Sequence, residues 1–439
     1  MLRANNIFEF LPCDILMTFS FVKSSFLILI IANSSNIAQY ASQLILGRYL
    51  KVVDYGIFNA VNSLSLVVVT FVAVIPFVVS KYLIRYQDNL EFRNILLQKI
   101  TKFVFFSNIL LFVFLYLLAN HIRLFLKIES LTPIYIFILL ILLNVIYTLY
   151  DSILQGLRMY VTHAMQSAVL TLFRLLLILV LVVYMGHSYN AALLSQIFAT
   201  IIVLAFIYII SRKTTRVTNN NIHIPREIYK EMFHYSIPVA ITWGILIIIS
   251  YMDIPLVKHF FNEYQAGIYS SASIIGKIGF FLPTVLLHAF FPEVINNDKL
   301  GKSSIPLLAF MLGITFVICS SYVLVVFFFK EILITLLFGE KYLLAGEYLT
   351  KITIFMSIVG VITVLFNFFL AKEIYYYLYV SMIVMILGSL SFFFVQMTSP
   401  NDVLNIFLYV SASLLLATVL YTFYRYREHL YGWTFKEII

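Results

Sequence analysis

Apolar runs of about 20 residues, separated by short polar clusters, recur from one end of the chain to the other. The short alternating segments of an outer-membrane barrel are absent, and runs of this length suit helices crossing a ~30 Å hydrocarbon core at about 1.5 Å per residue. The pattern predicts an all-α integral membrane protein with 12 transmembrane helices. They fall near 25–46, 56–80, 100–120, 131–154, 160–185, 189–210, 235–257, 267–295, 304–329, 347–371, 374–398 and 402–424. Residues 1–24 are read as an interfacial N-terminal segment, 25–210 as a six-helix lobe and 211–232 as a cytoplasmic inter-lobe loop. Residues 233–424 form a second six-helix lobe, and 425–439 a cytoplasmic tail.

The two halves echo each other. "YGIF" at Tyr55–Phe58 and "AGIY" at Ala266–Tyr269 each open the second span of their half. Two parallel repeats of six helices would be related by an axis along the membrane normal, with a site between them near the midplane.

Composition agrees with this reading. The chain is 62% hydrophobic and 11% charged, with mean hydropathy +0.99, whereas soluble proteins carry about 25% charged residues. The net charge of +9 follows loop placement: 19 basic residues fall in predicted inner segments and 8 in outer ones. That bias puts both termini in the cytoplasm and removes the need for a nucleic-acid partner. Cys13 and Cys319 are far apart in sequence and belong to no Cys/His cluster, so no disulfide or metal site is expected.

The two remaining basic residues lie inside spans. Lys277 is about 15 Å into the eighth span, in "SASIIGKIGFFLP". At 100° per residue it shares an arc of roughly 60° with Ser270, Ser273, Thr284 and His288. Either a water-lined functional cavity or a structural ion pair would explain it. Arg174 ends a similar stripe on the fifth span, after Tyr160, His163, Ser167 and Thr171. An arginine at mid-span requires an anion or a carboxylate. Asp253 and Asp151 are the candidate carboxylates, either to pair these cations or to bind a coupling H+ or Na+. Asn33, Asn36 and Gln43 on span one and Asn59 on span two add uncharged polar faces, suited to sugar hydroxyls or to neighbouring helices. No catalytic constellation or cofactor motif is present, so the chain is read as a non-enzyme without a metal or other cofactor.

Several stretches resemble one family. "LGRYLKVVDYGIFNAVNSL" (Leu46–Leu64) is similar to the segment that follows its first span. "YSIPVAITWG" (Tyr235–Gly244) resembles the start of its second half. "YMDIPLVKHFFNEYQAGIYSSASIIGKIGFFLPTVLLHAFFPEV" (Tyr251–Val294), "LFGEKYLLAGEYL" (Leu337–Leu349) and "LQGLRMY" (Leu154–Tyr160) complete the likeness. By these residues the chain resembles the Wzx-type flippases of polysaccharide biosynthesis, in the multidrug/oligosaccharidyl-lipid/polysaccharide exporter superfamily, whose fold is MATE-like. The resemblance implies two lobes in a V around a central cavity, in the bacterial cytoplasmic (inner) membrane. It implies transport of an undecaprenyl-diphosphate-linked oligosaccharide, an O-antigen or capsular/exopolysaccharide repeat unit, by alternating access. A cationic cavity would hold the diphosphate, with Lys277 and Arg174 inside and Arg48 either at the outer mouth or in a structural role at a helix end. Partners implied are the lipid-linked oligosaccharide, membrane lipids, and a polysaccharide polymerase with its chain-length regulator. Two other functions fit the span count: a cation-coupled multidrug exporter of the same superfamily, and a multispan O-antigen polymerase. The exporter would want carboxylates in its cavity, and the polymerase a long external loop; the chain has in-span cations and short predicted outer loops.

Overall fold

The computed structural model describes residues 31, 34–72, 74–186, 188–214, 224–300 and 302–431. The described residues are helical apart from short turns, with no strand among them. The first lobe holds α1 (34–49), α2 (Val52–Val69), α3 (Val74–Arg85), α4 (Leu90–Phe125), α5 (Thr132–Gly156), α6 (Tyr160–Ile178) and α7 (Tyr189–Thr214). The second holds α8 (Arg226–Tyr251), α9 (Asp253–Phe260), α10 (Glu263–Gly276), α11 (Ile278–Lys299), α12 (Ile305–Leu337), α13 (Gly346–Ala371), α14 (Tyr376–Phe394) and α15 (Pro400–Tyr431).

Ten described helical stretches are long and apolar enough to cross a membrane, and each matches one predicted span. The other two predicted spans have specific reasons to differ. Only residue 31 and residues 34–46 of the first lie among the described residues, and the eighth is divided at Lys277 into α10 and α11.

Several spans break where the sequence withdraws a backbone hydrogen bond. The second span runs from α2 through a tight turn at Thr70–Val72 into α3, four residues before Pro76, whose ring nitrogen cannot bond back to Val72. The seventh breaks between α8 and α9 at Met252, because Pro255 leaves the carbonyl of Tyr251 without its helical donor. In the second lobe α13 is the most buried span, and α10 and α11 lie directly against it. Gly276 permits this approach, since a Cβ there would sit 2.5 Å from Ile352 Cγ2. In the first lobe α5 takes the central place, packed by α3, α4 and α7. Large apolar side chains such as Phe103, Phe106, Phe328 and Phe393 are exposed on the outside of the bundle, as a lipid-facing surface requires.

Candidate functional site

The two in-span cations have opposite fates. Lys277 sits at the junction of α10 and α11 and is buried. Its side chain leans toward the start of α10, as helical side chains do. Its Nζ donates to Asp253 Oδ1 at 3.4 Å and lies 4.5 Å from the centre of the Tyr251 ring. Ser273 Oγ donates to the other oxygen, Asp253 Oδ2, at 2.7 Å. Asp253 is the first residue of α9, where free backbone N–H groups favour a carboxylate, and it is fully buried. Of the two readings left open for Lys277, this geometry is the ion pair, closed within the second lobe.

Arg174 is different. Its Nε and Nη2 are buried and have no hydrogen-bond partner among the described residues. One turn before it on α6, Thr171 Oγ1 donates to Ser35 Oγ of α1 at 3.1 Å, and Ser35 Oγ lies 3.3 Å from Ser167 Oγ. A hydroxyl cluster therefore joins α1 to α6 just below the guanidinium. A buried polar group without a partner costs about 1–3 kcal/mol, and more when charged, so two unfilled donors on an arginine form a ready anion site.

Further along the same face of α6, His163 Nδ1 lies 2.6 Å from Asp151 Oδ1 of α5. Gln155 Nε2 donates to Asp151 Oδ2 at 3.2 Å, and Gln166 Nε2 also donates to the carboxylate. Both in-span aspartates are thus engaged, Asp253 with a lysine and Asp151 with a histidine.

The other predicted polar residues are dispersed. Ser270 is fully buried and donates to its own helix at Ala266 O, 2.6 Å away. Asn59 is buried and donates to Tyr55 O at 2.9 Å. Gln43 accepts from the Tyr55 hydroxyl at 3.5 Å, Thr284 donates to Phe281 O at 2.7 Å, and Asn36 is exposed. Asn33 and the side chain of His288 lie outside the described residues.

Arg48 does not project into open space. Its guanidinium donates to the carbonyls of Leu336 and Leu337, the latter at 3.1 Å, at the end of α12. This contact is part of a clasp between the lobes at the end expected to face outward. Lys341 Nζ donates back to the carbonyls of Arg48 and Leu50, both at 2.8 Å. On the far side Lys258 Nζ reaches Lys127 O at 3.1 Å, and His259 Nδ1 lies 2.8 Å from Phe125 O. Each basic side chain of one lobe covers carbonyls left open where a helix of the other lobe ends. Sequence reading counted Lys258 and Lys341 only as outer-loop charges. The one signal the sequence offers is their place near predicted span ends, one residue beyond the seventh for Lys258 and six before the tenth for Lys341.

Between these clasps the backbones meet. A Cβ on Gly56 would lie 2.6 Å from Glu263 O and 2.7 Å from Gly267 N, and one on Gly267 would overlap Val52 O. The glycines of "YGIF" and "AGIY" therefore face each other across the lobe boundary. The opposite end carries an exposed Arg85–Glu231 pair at 2.5 Å and Lys81 Nζ 3.8 Å from the Tyr235 ring centre.

No curated protein matches the sequence. Among solved structures, an inward-facing multidrug resistance MATE family transporter of the MOP superfamily superposes with TM-score 0.71 at 11% identity, over 90% of this chain and 96% of its own. A MOP superfamily transporter from Pyrococcus furiosus, described by the reverse polarity of its binding pocket, gives 0.67 at 13% identity, over 94% and 96%. The lipid II flippase MurJ in an inward closed conformation gives 0.65 at 14% identity, over 90% and 87%. At these identities the likeness is one of fold, and it extends over nearly the whole length. The profile of one sequence family, described as polysaccharide biosynthesis protein, matches residues 21–297, and the chain belongs to that family.

Proposed function

We propose that the protein is a flippase that carries an anionic, undecaprenyl-diphosphate-linked oligosaccharide across the bacterial cytoplasmic membrane. The cargo is an O-antigen or capsular/exopolysaccharide repeat unit, moved by alternating opening of the two lobes. The observation that carries this reading is the imbalance of in-span charge. Asp253 and Asp151 are both engaged, whereas two donors of Arg174 are buried and have no partner among the described residues. A cation exporter needs a free carboxylate, while a diphosphate needs the planar fork of a free guanidinium. The hydroxyls of Ser35, Ser167 and Thr171 lie next to that fork, where a sugar adjoining the diphosphate could bond them.

The fold by itself suits a multidrug exporter equally well, so the test must separate the two. Arg174→Ala is introduced into a strain lacking the chromosomal copy, and surface glycan is measured against insertion of the protein in the membrane. Loss of a charged hydrogen-bond partner weakens binding by roughly 10- to 150-fold, so glycan should fall below detection. Arg174→Lys should restore part of it, as a point charge without the fork. Normal glycan with Arg174→Ala, or ion-driven efflux of cationic dyes by the wild type, would overturn the proposal.

A further inference from the structure

We infer that the seam between α14 and α15 holds one phospholipid with an ethanolamine head group, at a site separate from Arg174 and independent of the cargo. The two helices follow each other through a short turn and pack together. They touch at Gly388, where a Cβ would lie 2.4 Å from Val410 Cγ2, and beside that contact they leave a groove of about 410 Å³. Sites for small ligands span about 300–1,000 Å³. The lining residues recur at steps of three or four on each helix, from Val384 to the cap at Val395 on α14 and from Asp402 to Ser413 on α15. The groove is thus one helical face laid along another.

Its length selects the occupant. The reach from Asp402 to Ser413 is about 16 Å at 1.5 Å per residue, half of a ~30 Å hydrocarbon core. The groove therefore has the depth of a single leaflet, and it starts at the end expected to face outward. Leu387, Ile406 and Val410 make its middle apolar, as a hydrocarbon chain requires.

The outward end carries both charges that a zwitterion needs. Asp402 lines it, and its Oδ2 accepts from the backbone and hydroxyl groups of Thr398 and Ser399 at 2.8–3.4 Å, which fixes the carboxylate in place. One turn on, Asn405 Oδ1 accepts from the exposed Lys351 of α13 at 3.5 Å. Side chains three residues apart on a helix have Cβ atoms about 5–6 Å apart, so a carboxylate and an ammonium flank the groove mouth. A primary ammonium in the head group has N–H donors for Asp402, whereas the methylated nitrogen of choline has none. The phosphate, common to both lipids, takes Lys351. A glycerol head group leaves the lipid with a net negative charge and nothing to answer Asp402.

The test is native mass spectrometry of the full chain in detergent. Phosphatidylethanolamine, phosphatidylcholine and phosphatidylglycerol with identical acyl chains are each titrated in, and the affinity of the first lipid bound is read. These charges are partly solvated, so ethanolamine lipid should bind about two- to fivefold tighter than choline lipid. Asp402→Asn keeps an acceptor oxygen for Thr398 and Ser399 and should abolish that preference. Lys351→Gln should weaken all three lipids alike. Ser391→Trp fills the groove and should remove the first bound lipid whatever its head group, which keeps the inference testable if Asp402→Asn fails to fold. Equal binding of ethanolamine and choline lipids by the wild type, or a preference untouched by Asp402→Asn, would overturn the proposal. So would undecaprenyl phosphate displacing the ethanolamine lipid, which would assign the groove to the cargo's tail, or a dimer that Ser391→Trp dissociates, which would assign it to a second copy of the chain.

Discussion

A single methyl group at position 267 should prise the lobes apart at the end expected to face outward. A Cβ on Gly267 would overlap the carbonyl oxygen of Val52, and backbone, unlike a side-chain tip, cannot rotate away. Gly267 is on α10 and Val52 begins α2, so the cheapest relief is separation of the two lobes. Overpacking of this kind costs about 1–3 kcal/mol, and each 1.36 kcal/mol is a factor of ten. If only the closed arrangement bears that cost, the ratio of open to closed molecules rises by roughly 5- to 150-fold. Ala266, fully buried beside Gly267, is a suitable reporter once Cys13 and Cys319 have been replaced. With Ala266→Cys, a membrane-impermeant maleimide added from outside should react slowly in the parent and at least fivefold faster in Gly267→Ala. Gly56→Ala should act in the same direction through Glu263 O. Equal labelling rates with glycine and alanine would refute the idea that this backbone contact seals that end.

Four further outcomes follow from the contacts around it. Lys277→Ala leaves Asp253 charged and unpaired in a dry interior, which costs about 3–5 kcal/mol, so thermal unfolding in detergent should drop by about 10 °C. The double variant Lys277→Met with Asp253→Leu should recover most of that loss, and a double variant no better than the single would count against a structural pair. Arg48→Ala and Lys341→Ala each remove a cation from the end of a helix, worth about 0.3–1 kcal/mol, and should speed maleimide labelling at position 266 by about two- to fivefold; no change would remove them from the clasp. Arg85→Ala breaks a pair whose side chains are nearly half exposed, so stability should change by less than about 1 kcal/mol, and a larger loss would mean that this end of the lobes is more tightly held than its contacts suggest.

The spans were legible because a bilayer imposes a length and a polarity that few other constraints can mask. The echo of Gly56 and Gly267 was also legible as a pattern, but its meaning was not. Nothing in a shared Gly-Ile pair says that two glycines half a chain apart will touch. The stripe on the eighth span was read as one continuous face, and helical geometry does bring Ser273 and Lys277 to one side. What periodicity could not supply was the neighbouring helix. Asp253 reaches both residues only because Pro255 breaks the seventh span and turns α9 toward α10. For Arg48 the resemblance offers a place at the outer mouth and its helix-end position a structural role, and the carbonyls of Leu336 and Leu337 fit the second. Contacts with helix termini carry no side-chain signature, and so the clasp partners Lys258, His259 and Lys341 escaped notice.

The symmetry of the backbone and the asymmetry of the charge together constrain how such a molecule can work. Two lobes that rock as bodies must each be complete without the other. In the second lobe the buried charges close on one another, so Lys277 and Asp253 can travel together without meeting water or lipid. The contacts that must break on opening are of another kind: glycine backbones in van der Waals contact, and cations on helix-end carbonyls. Water can replace either partner of these at small cost, because both carbonyl and ammonium are well solvated once exposed. A gate built from ion pairs sealed between lobes would instead strand a charge with every cycle. Among the described residues Arg174 of the first lobe is an in-span cation with two donors that lack a partner, and it is next to that arginine that α1 meets α6 through Ser35 and Thr171. Under the proposed function, an anion arriving at Arg174 would add a contact to one lobe without adding one across the boundary. It can ride with that lobe while the clasp releases, which is the condition for a substrate to change sides rather than to lock the protein shut.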